Sequence, residues 1–172
     1  MSLDLTIPLA GLIAIEELQG AISGDIRALL GLAIVPLVKF AEFEDGQKIA
    51  TNSAKLLPGH VYTVELSDTK ASILVTIVYP RNTWETGGKD ILEACVSVYG
   101  ARGESESMVL ACAAATAIAR LGGANVRDES LTWVPVEEIS PADMICRLSI
   151  KGDVERLKEA SNQFVVGLNK PG

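Results

Sequence analysis

A thiol and an imidazole are the first groups to consider as catalytic residues. The chain has one histidine, His60, and three cysteines, Cys95, Cys112 and Cys146. His60 begins one predicted strand and Cys95 lies on another, so a Cys–His nucleophile pair is one hypothesis. A reactive thiolate needs a lowered pKa and access to solvent, whereas each cysteine here lies in an apolar run, which favours the core. A single histidine and the lack of any C-x-x-C spacing predict no metal site and no cofactor.

Carboxylates are the other candidates for acid–base chemistry. They occur as adjacent pairs at Asp128–Glu129 and Glu137–Glu138. Neighbouring residues on a strand point to opposite faces of a sheet, so neither pair forms a dyad by itself. A small hydrolase-like enzyme would need distant carboxylates to converge, or the Cys–His pair to form. This enzyme is an alternative to a binding function.

The run from Trp84 to Lys89 has the Gly-Gly-Lys ending of a phosphate-binding loop. Such a loop requires a glycine at its first position and a serine or threonine after the lysine. Thr83 and Asp90 occupy these two positions. A carboxylate would therefore lie where a hydroxyl should bind magnesium, and the sequence predicts no nucleotide site here.

Five residues are the candidates for a binding surface: Arg81, Asn82, Trp84, Arg102 and Trp133. The first three lie in a long polar loop, and long loops often carry function. Trp and Arg are also enriched at the energetic centres of protein interfaces. Arg102 precedes a predicted helix start that could receive an anion, although the acids beside it favour a capping role. Trp133 is either an exposed anchor or a core side chain, and the usual burial of Trp favours the core.

Composition narrows the classes of partner. The 172 residues carry a formal net charge of −7, and the sequence pI is about 4.8. Negative charge repels nucleic-acid phosphates and anionic membrane surfaces. We therefore expect a protein partner or self-association, with no nucleic acid and no membrane. Unpaired cysteines and an N-terminus without the positive charge of a signal peptide predict a cytoplasmic location.

Apolar periodicity predicts an α+β fold, in which an antiparallel β-meander packs on a buried Ala-rich helix, with N-terminal helices and a C-terminal amphipathic helix. Helices are predicted over 9–22, 25–32, 105–121 and 153–168. Strands are predicted over 34–43, 48–51, 60–66, 72–79, 91–99, 125–127, 131–137 and 144–150, with one helical turn at 140–143. We expect one domain over 1–172, with 1–46 as a candidate helical subdomain.

The helix over 105–121 has the strongest local signals. Acids and hydroxyls at 104–107 suit a helix N-terminus, and Gly122-Gly123 suits its end. Between them the residues are apolar almost all round, which is typical of a buried helix. The alanines there allow a sheet or another helix to approach closely.

The stretch from Val98 to Trp133 resembles small bacterial immunity and accessory domains. A strand leads into an Ala-rich helix, then Gly122-Gly123, then an acidic strand turn that includes Asp128-Glu129. The likeness lies in the order of apolar elements. It implies an architecture and assigns no site.

Taken together, these observations predict a non-enzymatic binding or regulatory protein that acts through protein–protein contacts. The enzyme described above is one alternative. A structural subunit of a homo-oligomer is another, in which the apolar segment 5–38 forms the interface instead of packing on its own core.

Overall fold

The computed structural model describes residues 3–51, 53–79, 92–98, 105–131, 133–152 and 154–168. The helices are α1 (Ile15–Leu30), α2 (Ser105–Gly122), α3 (Pro141–Leu148) and α4 (Leu157–Leu168). The strands are β1 (Leu3–Leu9), β2 (Val38–Glu44), β3 (Gln47–Ile49), β4 (Val61–Leu66), β5 (Ser72–Val78), β6 (Leu92–Val98), β7 (Val126–Arg127) and β8 (Glu138–Ile139). The predicted α+β class is confirmed.

The eight strands form one antiparallel sheet in the order β3-β2-β4-β5-β6-β1-β7-β8. The adjacent strands β4, β5 and β6 are consecutive in the chain and form the predicted meander. Asp45 and Gly46 connect β2 to β3 with positive φ angles of 48° and 79°, as a two-residue hairpin turn requires. The N-terminal strand β1 lies between β6 and β7, so it occupies an interior position in the sheet.

Helix α2 is the centre of the core. Every residue from Val109 to Ala119 is buried, and the helix packs on β1, β5 and β6 with α1, α3 and α4 around it. The small alanine side chains permit this close approach on all sides. At the end of α2, a Cβ on Gly122 would lie 2.9 Å from Leu9 Cδ2, so glycine is required where the helix meets β1.

All strands that contact α2 present a row of apolar side chains to it. On β1 these are Leu5, Ile7 and Leu9, and on β5 they are Ile73, Val75 and Ile77, all of them buried. We call this side of the sheet the inner face. The alternating residues of the same strands form the opposite side, which we call the outer face.

Two predictions at the N-terminus are wrong. Residues 9–22 were expected to begin a helix, but Leu9 ends β1, and α1 begins at Ile15. The predicted break near Ser23 is absent, because Ile22, Ile26 and Leu29 continue the buried stripe of one helix to Leu30. Gly31, with φ of 67°, then ends it, as a left-handed glycine commonly does.

Two further predictions are wrong near the C-terminus. The alternation over 144–150 suggested a strand, but α3 extends to Leu148. The Ser140 hydroxyl accepts a hydrogen bond from Asp143 N and caps this helix, and Met144 is its buried contact. The described residues of the strand predicted over 131–137, which are 131 and 133–137, form no strand, and β8 begins only at Glu138.

Candidate protein-binding surface

Four of the five predicted binding residues, Arg81, Asn82, Trp84 and Arg102, lie outside the described residues. The fifth, Trp133, is 3% exposed and belongs to the core. Between the two expectations for Trp133, the structure therefore has the core side chain and not the exposed anchor.

Asp128 holds the backbone around Trp133 in place. One oxygen of its buried carboxylate accepts hydrogen bonds from Trp133 N at 2.6 Å and from Val134 N at 3.0 Å. The other accepts from Ser130 Oγ at 2.9 Å. These bonds replace the strand ladder that the sequence suggested here. Asp128 therefore has a structural role in the connection between β7 and β8.

The hypothetical Cys–His pair does not form. Cys95 pairs with Thr76 on β5, and Thr76 pairs with Val61 on β4. Cys95 therefore lies two strands away from Val61, the residue that follows His60, which is a distance of about 10 Å. Cys95 also faces the outer side, whereas His60 stacks on Tyr62 of the inner face. Burial raises the pKa of the Cys95 thiol, and the Ser97 hydroxyl at 3.5 Å offsets this only in part.

His60 contacts a carboxylate instead. Its Nδ1 lies 3.3 Å from Glu42 Oε2, and the other oxygen of Glu42 accepts from Thr51 Oγ1 at 2.8 Å. The Thr51 bond, followed by the contact with His60, lowers the pKa of Glu42. Tyr62 beside them accepts from Leu57 N through its hydroxyl. The cluster ties the β2–β3 hairpin to the start of β4, and no thiol of the described residues belongs to it.

A second ionic contact joins two core helices. Arg120 Nη2 of α2 donates to Asp25 Oδ1 of α1 at 2.6 Å. Asp25 is almost fully buried, and its Oδ2 has no hydrogen-bond partner among the described residues. Burial raises the pKa of Asp25, while Arg120 acts in the opposite direction. The Asp25 carboxylate is internal and Arg120 is half exposed, so the main role of the pair is in the packing of α1 on α2.

No described helix packs on the outer face of the sheet. The helices pack on one another and on the inner face. Two rows of side chains cross the outer face in register. The first row is Thr6, Cys95, Thr76 and Val61. The second row is Asp4, Ser97, Leu74, Thr63 and Ala41.

These two rows carry almost no charge. Eight of their nine residues are neutral, and Asp4 stands at one end. All nine are buried or half-buried, and Thr63, which lies between Leu74 and Ala41 in the second row, is 2% exposed. The outward-facing side of an antiparallel sheet is usually polar. A surface of aliphatic and hydroxyl side chains is instead typical of the core of a protein interface.

Charged residues surround these rows in an uneven way. On the β1 side lie Asp4, Glu93 and the ion pair of Arg127 with Glu138. On the β2 side lie Lys39 and the ion pair of Lys48 with Glu65. Among these outward-facing side chains, the β1 side therefore has excess negative charge and the β2 side excess positive charge.

The size of this surface suits a protein interface. It spans five adjacent strands, β2, β4, β5, β6 and β1. With a strand spacing of about 4.8 Å and a rise of about 3.4 Å per residue, its footprint is roughly 24 Å by 20 Å. That is the same order as the ~800 Å² that each partner buries in a standard interface.

The sequence contained a signal for this surface that the search for catalytic and aromatic residues passed over. In β5, Leu74 and Val78 point outward between the inward residues Ile73, Val75 and Ile77. A strand that is apolar on both sides indicates that both faces are covered. The helical layer accounts for only one of them.

No protein family, curated protein or solved structure matches this chain. Among the helices of the described residues, none is long and apolar enough to cross a bilayer. In the same residues, no three His, Cys, Asp or Glu side chains converge to hold a metal ion.

Proposed function

We propose that this chain is a binding protein that acts through protein–protein contacts, and that the outer face of its sheet is the contact surface. The supporting observation is the pair of neutral, largely buried rows that cross this face. Apart from Leu74 and Asp4, their side chains are β-branched or small, so they lose little conformational entropy when a partner covers them. The three cysteines are free, and we propose the reducing cytoplasm as the compartment.

The uneven charge around the face favours a second copy of the chain as one partner. A two-fold axis parallel to the strands at β5 would place the β1 side of one copy over the β2 side of the other. Asp4 would then lie near Lys39 of the other copy, and such complementarity favours association. An isologous interface of this kind closes at two copies.

Replacement of Leu74 by lysine tests the contact surface. The side chain lies in the middle of the second row, and a lysine there can extend to solvent in the free protein. Covering it would bury an unpaired charge, which is strongly unfavourable. Ile34→Lys is the matched control, because Ile34 is 86% exposed and lies on the connection between α1 and β2, away from this face.

Sedimentation velocity of the full chain over a range of concentrations gives the first measurement. We expect wild type and Ile34→Lys to form a dimer and Leu74→Lys to stay monomeric with an unchanged Tm. If wild type and both variants are monomeric, quantitative cross-linking of each to other proteins distinguishes binding of a different partner at this face from no binding there. A partner that Leu74→Lys retains as well as Ile34→Lys does would contradict the proposal.

A further inference from the structure

A groove between α3 and α4 differs in its charged residues from four other grooves of the described surface. It is lined by the end of α3, the segment 149–151 and the second half of α4, and its volume is about 580 Å³. This lies within the range of about 300–1,000 Å³ that small-molecule sites occupy. The groove belongs to the helical layer, so it is separate from the outer face of the sheet.

The charge of the groove is opposite to that of the chain. Arg147 and Lys151 are its charged residues, and its lining contains no carboxylate. Neither cation forms an ion pair among the described residues. Four other grooves of the described surface each include at least one acidic side chain. Two unpaired cations together are therefore unusual in a protein with a net charge of −7.

The end of α3 explains only part of this arrangement. A cation in the last turn of a helix interacts favourably with the helix dipole, and Arg147 occupies that position. Lys151 lies beyond Ser149, the residue that caps the helix. It has no such role, yet it lines the same groove.

The floor of the groove is apolar. Phe164 is buried beneath it, and the half-buried side chains of Leu148, Ile150 and Leu168 surround Phe164. Burial of apolar ligand surface against such a floor contributes about 25 cal/mol per Å². A cationic rim above an apolar floor matches a molecule with a negative head and an apolar body.

We propose that the groove between α3 and α4 binds a small amphipathic anion, such as an organic carboxylate or sulfonate with an apolar body. The head contacts Arg147 and Lys151, and the body lies on Leu148, Ile150 and Leu168. This site is independent of the proposed protein contact, and Leu74→Lys leaves it intact.

Fluorescence titration of the full chain with anilinonaphthalene sulfonate, an amphipathic anion, tests the site. N-phenylnaphthylamine is the neutral counterpart, and decanoate serves as a competitor. We expect saturable binding of the sulfonate at one site, displacement by decanoate, and weaker binding of the neutral dye. Arg147→Gln and Lys151→Gln should each weaken sulfonate binding about fivefold, because exposed cations each contribute up to about that factor. Binding of the neutral dye should not change.

Two further variants make the test decisive. Gly167 lines the groove, and a Cβ there would meet no atom within 4 Å, so Gly167→Leu should occupy part of the groove and weaken binding. Its Tm should stay the same or rise, since leucine favours a helix more than glycine does. Arg156→Gln is the charge control, because Arg156 is 82% exposed and outside the groove.

Three results would overturn the proposal. One is sulfonate binding by Gly167→Leu at the wild-type affinity. Another is an equal loss of binding in Arg156→Gln and Arg147→Gln, which would indicate general attraction to positive charge. The third is displacement of the dye by an acidic apolar peptide but not by decanoate, which would assign the groove to a protein segment.

Discussion

Removal of the Arg120 guanidinium should destabilise the fold in a way that depends on pH. Arg120→Met leaves Asp25 buried between α1 and α2 without the cation that donates to it at 2.6 Å. A hydrogen bond to a charged group contributes about 1.5–3 kcal/mol. Arg120 is 50% exposed, and solvent screens such a contact, so we expect a loss of roughly 1.5 kcal/mol at neutral pH. For a chain of this size the Tm should fall by about 3–6 °C.

The sign of the pH dependence follows from Asp25. Burial raises the pKa of Asp25 above its ordinary value, so the protonated carboxyl suits the fold better than the ionised one. The stability associated with the neutral carboxyl is present below the unfolded-state pKa and is lost as pH rises through the folded-state pKa. Arg120→Met removes the cation that lowers this pKa and raises it further. The loss of stability that Arg120→Met causes relative to wild type should therefore be largest at neutral pH and become smaller towards about pH 4.

Urea unfolding followed by circular dichroism at both pH values measures these differences. Asp25→Asn supplies the matched comparison, because it removes the charge and keeps an oxygen that accepts from Arg120. We expect this variant to be at least as stable as wild type at neutral pH. Arg120→Met should cause a smaller loss of stability when it is made in Asp25→Asn than when it is made in wild type. The reasoning is refuted if Asp25→Asn is as destabilised as Arg120→Met, or if the Arg120→Met loss is the same at both pH values.

Two further predictions concern the connection after β7 and the thiols. Asp128→Ala should lower the free energy of unfolding in urea by about 3 kcal/mol, because three hydrogen bonds to the carboxylate disappear. Glu129→Ala, which changes the exposed neighbour, should alter this free energy by no more than about 0.5 kcal/mol. Equal losses in the two variants would contradict this prediction. Iodoacetamide should alkylate the exposed Cys146 first, Cys95 slowly and Cys112 only on unfolding, since burial raises the pKa of the last two. Peptide mass mapping gives the order, and native labelling of Cys112 at the rate of Cys146 would contradict it.

Elements stabilised by neighbours in sequence were predictable. The apolar run and the glycines at its end located α2 to within a residue. The alternation over 60–66 and 72–79 identified β4 and β5, whose register pairs run from Val61–Thr76 to Glu65–Ser72. In both cases the pattern and the element that it predicts share the same stretch of chain.

Elements whose partners are distant in sequence were not predictable in the same way. The alternation of Leu5, Ile7 and Leu9 is too short to distinguish a strand from the start of a helix. Its meaning depends on β6, which pairs with it from the middle of the chain. The alternation over 144–150 led to the opposite error, a strand predicted where a helix forms, because the Ser140 cap stabilises the helix.

Surfaces were harder to predict than elements. Tryptophan and arginine directed attention to loops, whereas the outer face is formed by ordinary residues such as Thr76 and Leu74, which become a surface only when strands align them. Arg147 and Lys151 meet in one groove because α3 is helical and ends before Ser149. A strand over the same residues would have placed them differently.

The position of β1 has a consequence for how the chain is made. Its seven register pairs with β6 run from Leu3–Val98 to Leu9–Leu92, so β1 must wait for a strand that leaves the ribosome much later. At about 5–20 residues per second, this delay is roughly 5–20 seconds. During that time the apolar side of β1 lacks its native contacts, and the strands already synthesised have an unpaired sheet edge. Nascent chains that stop before β6 should therefore be the form that chaperones bind and that aggregates most readily.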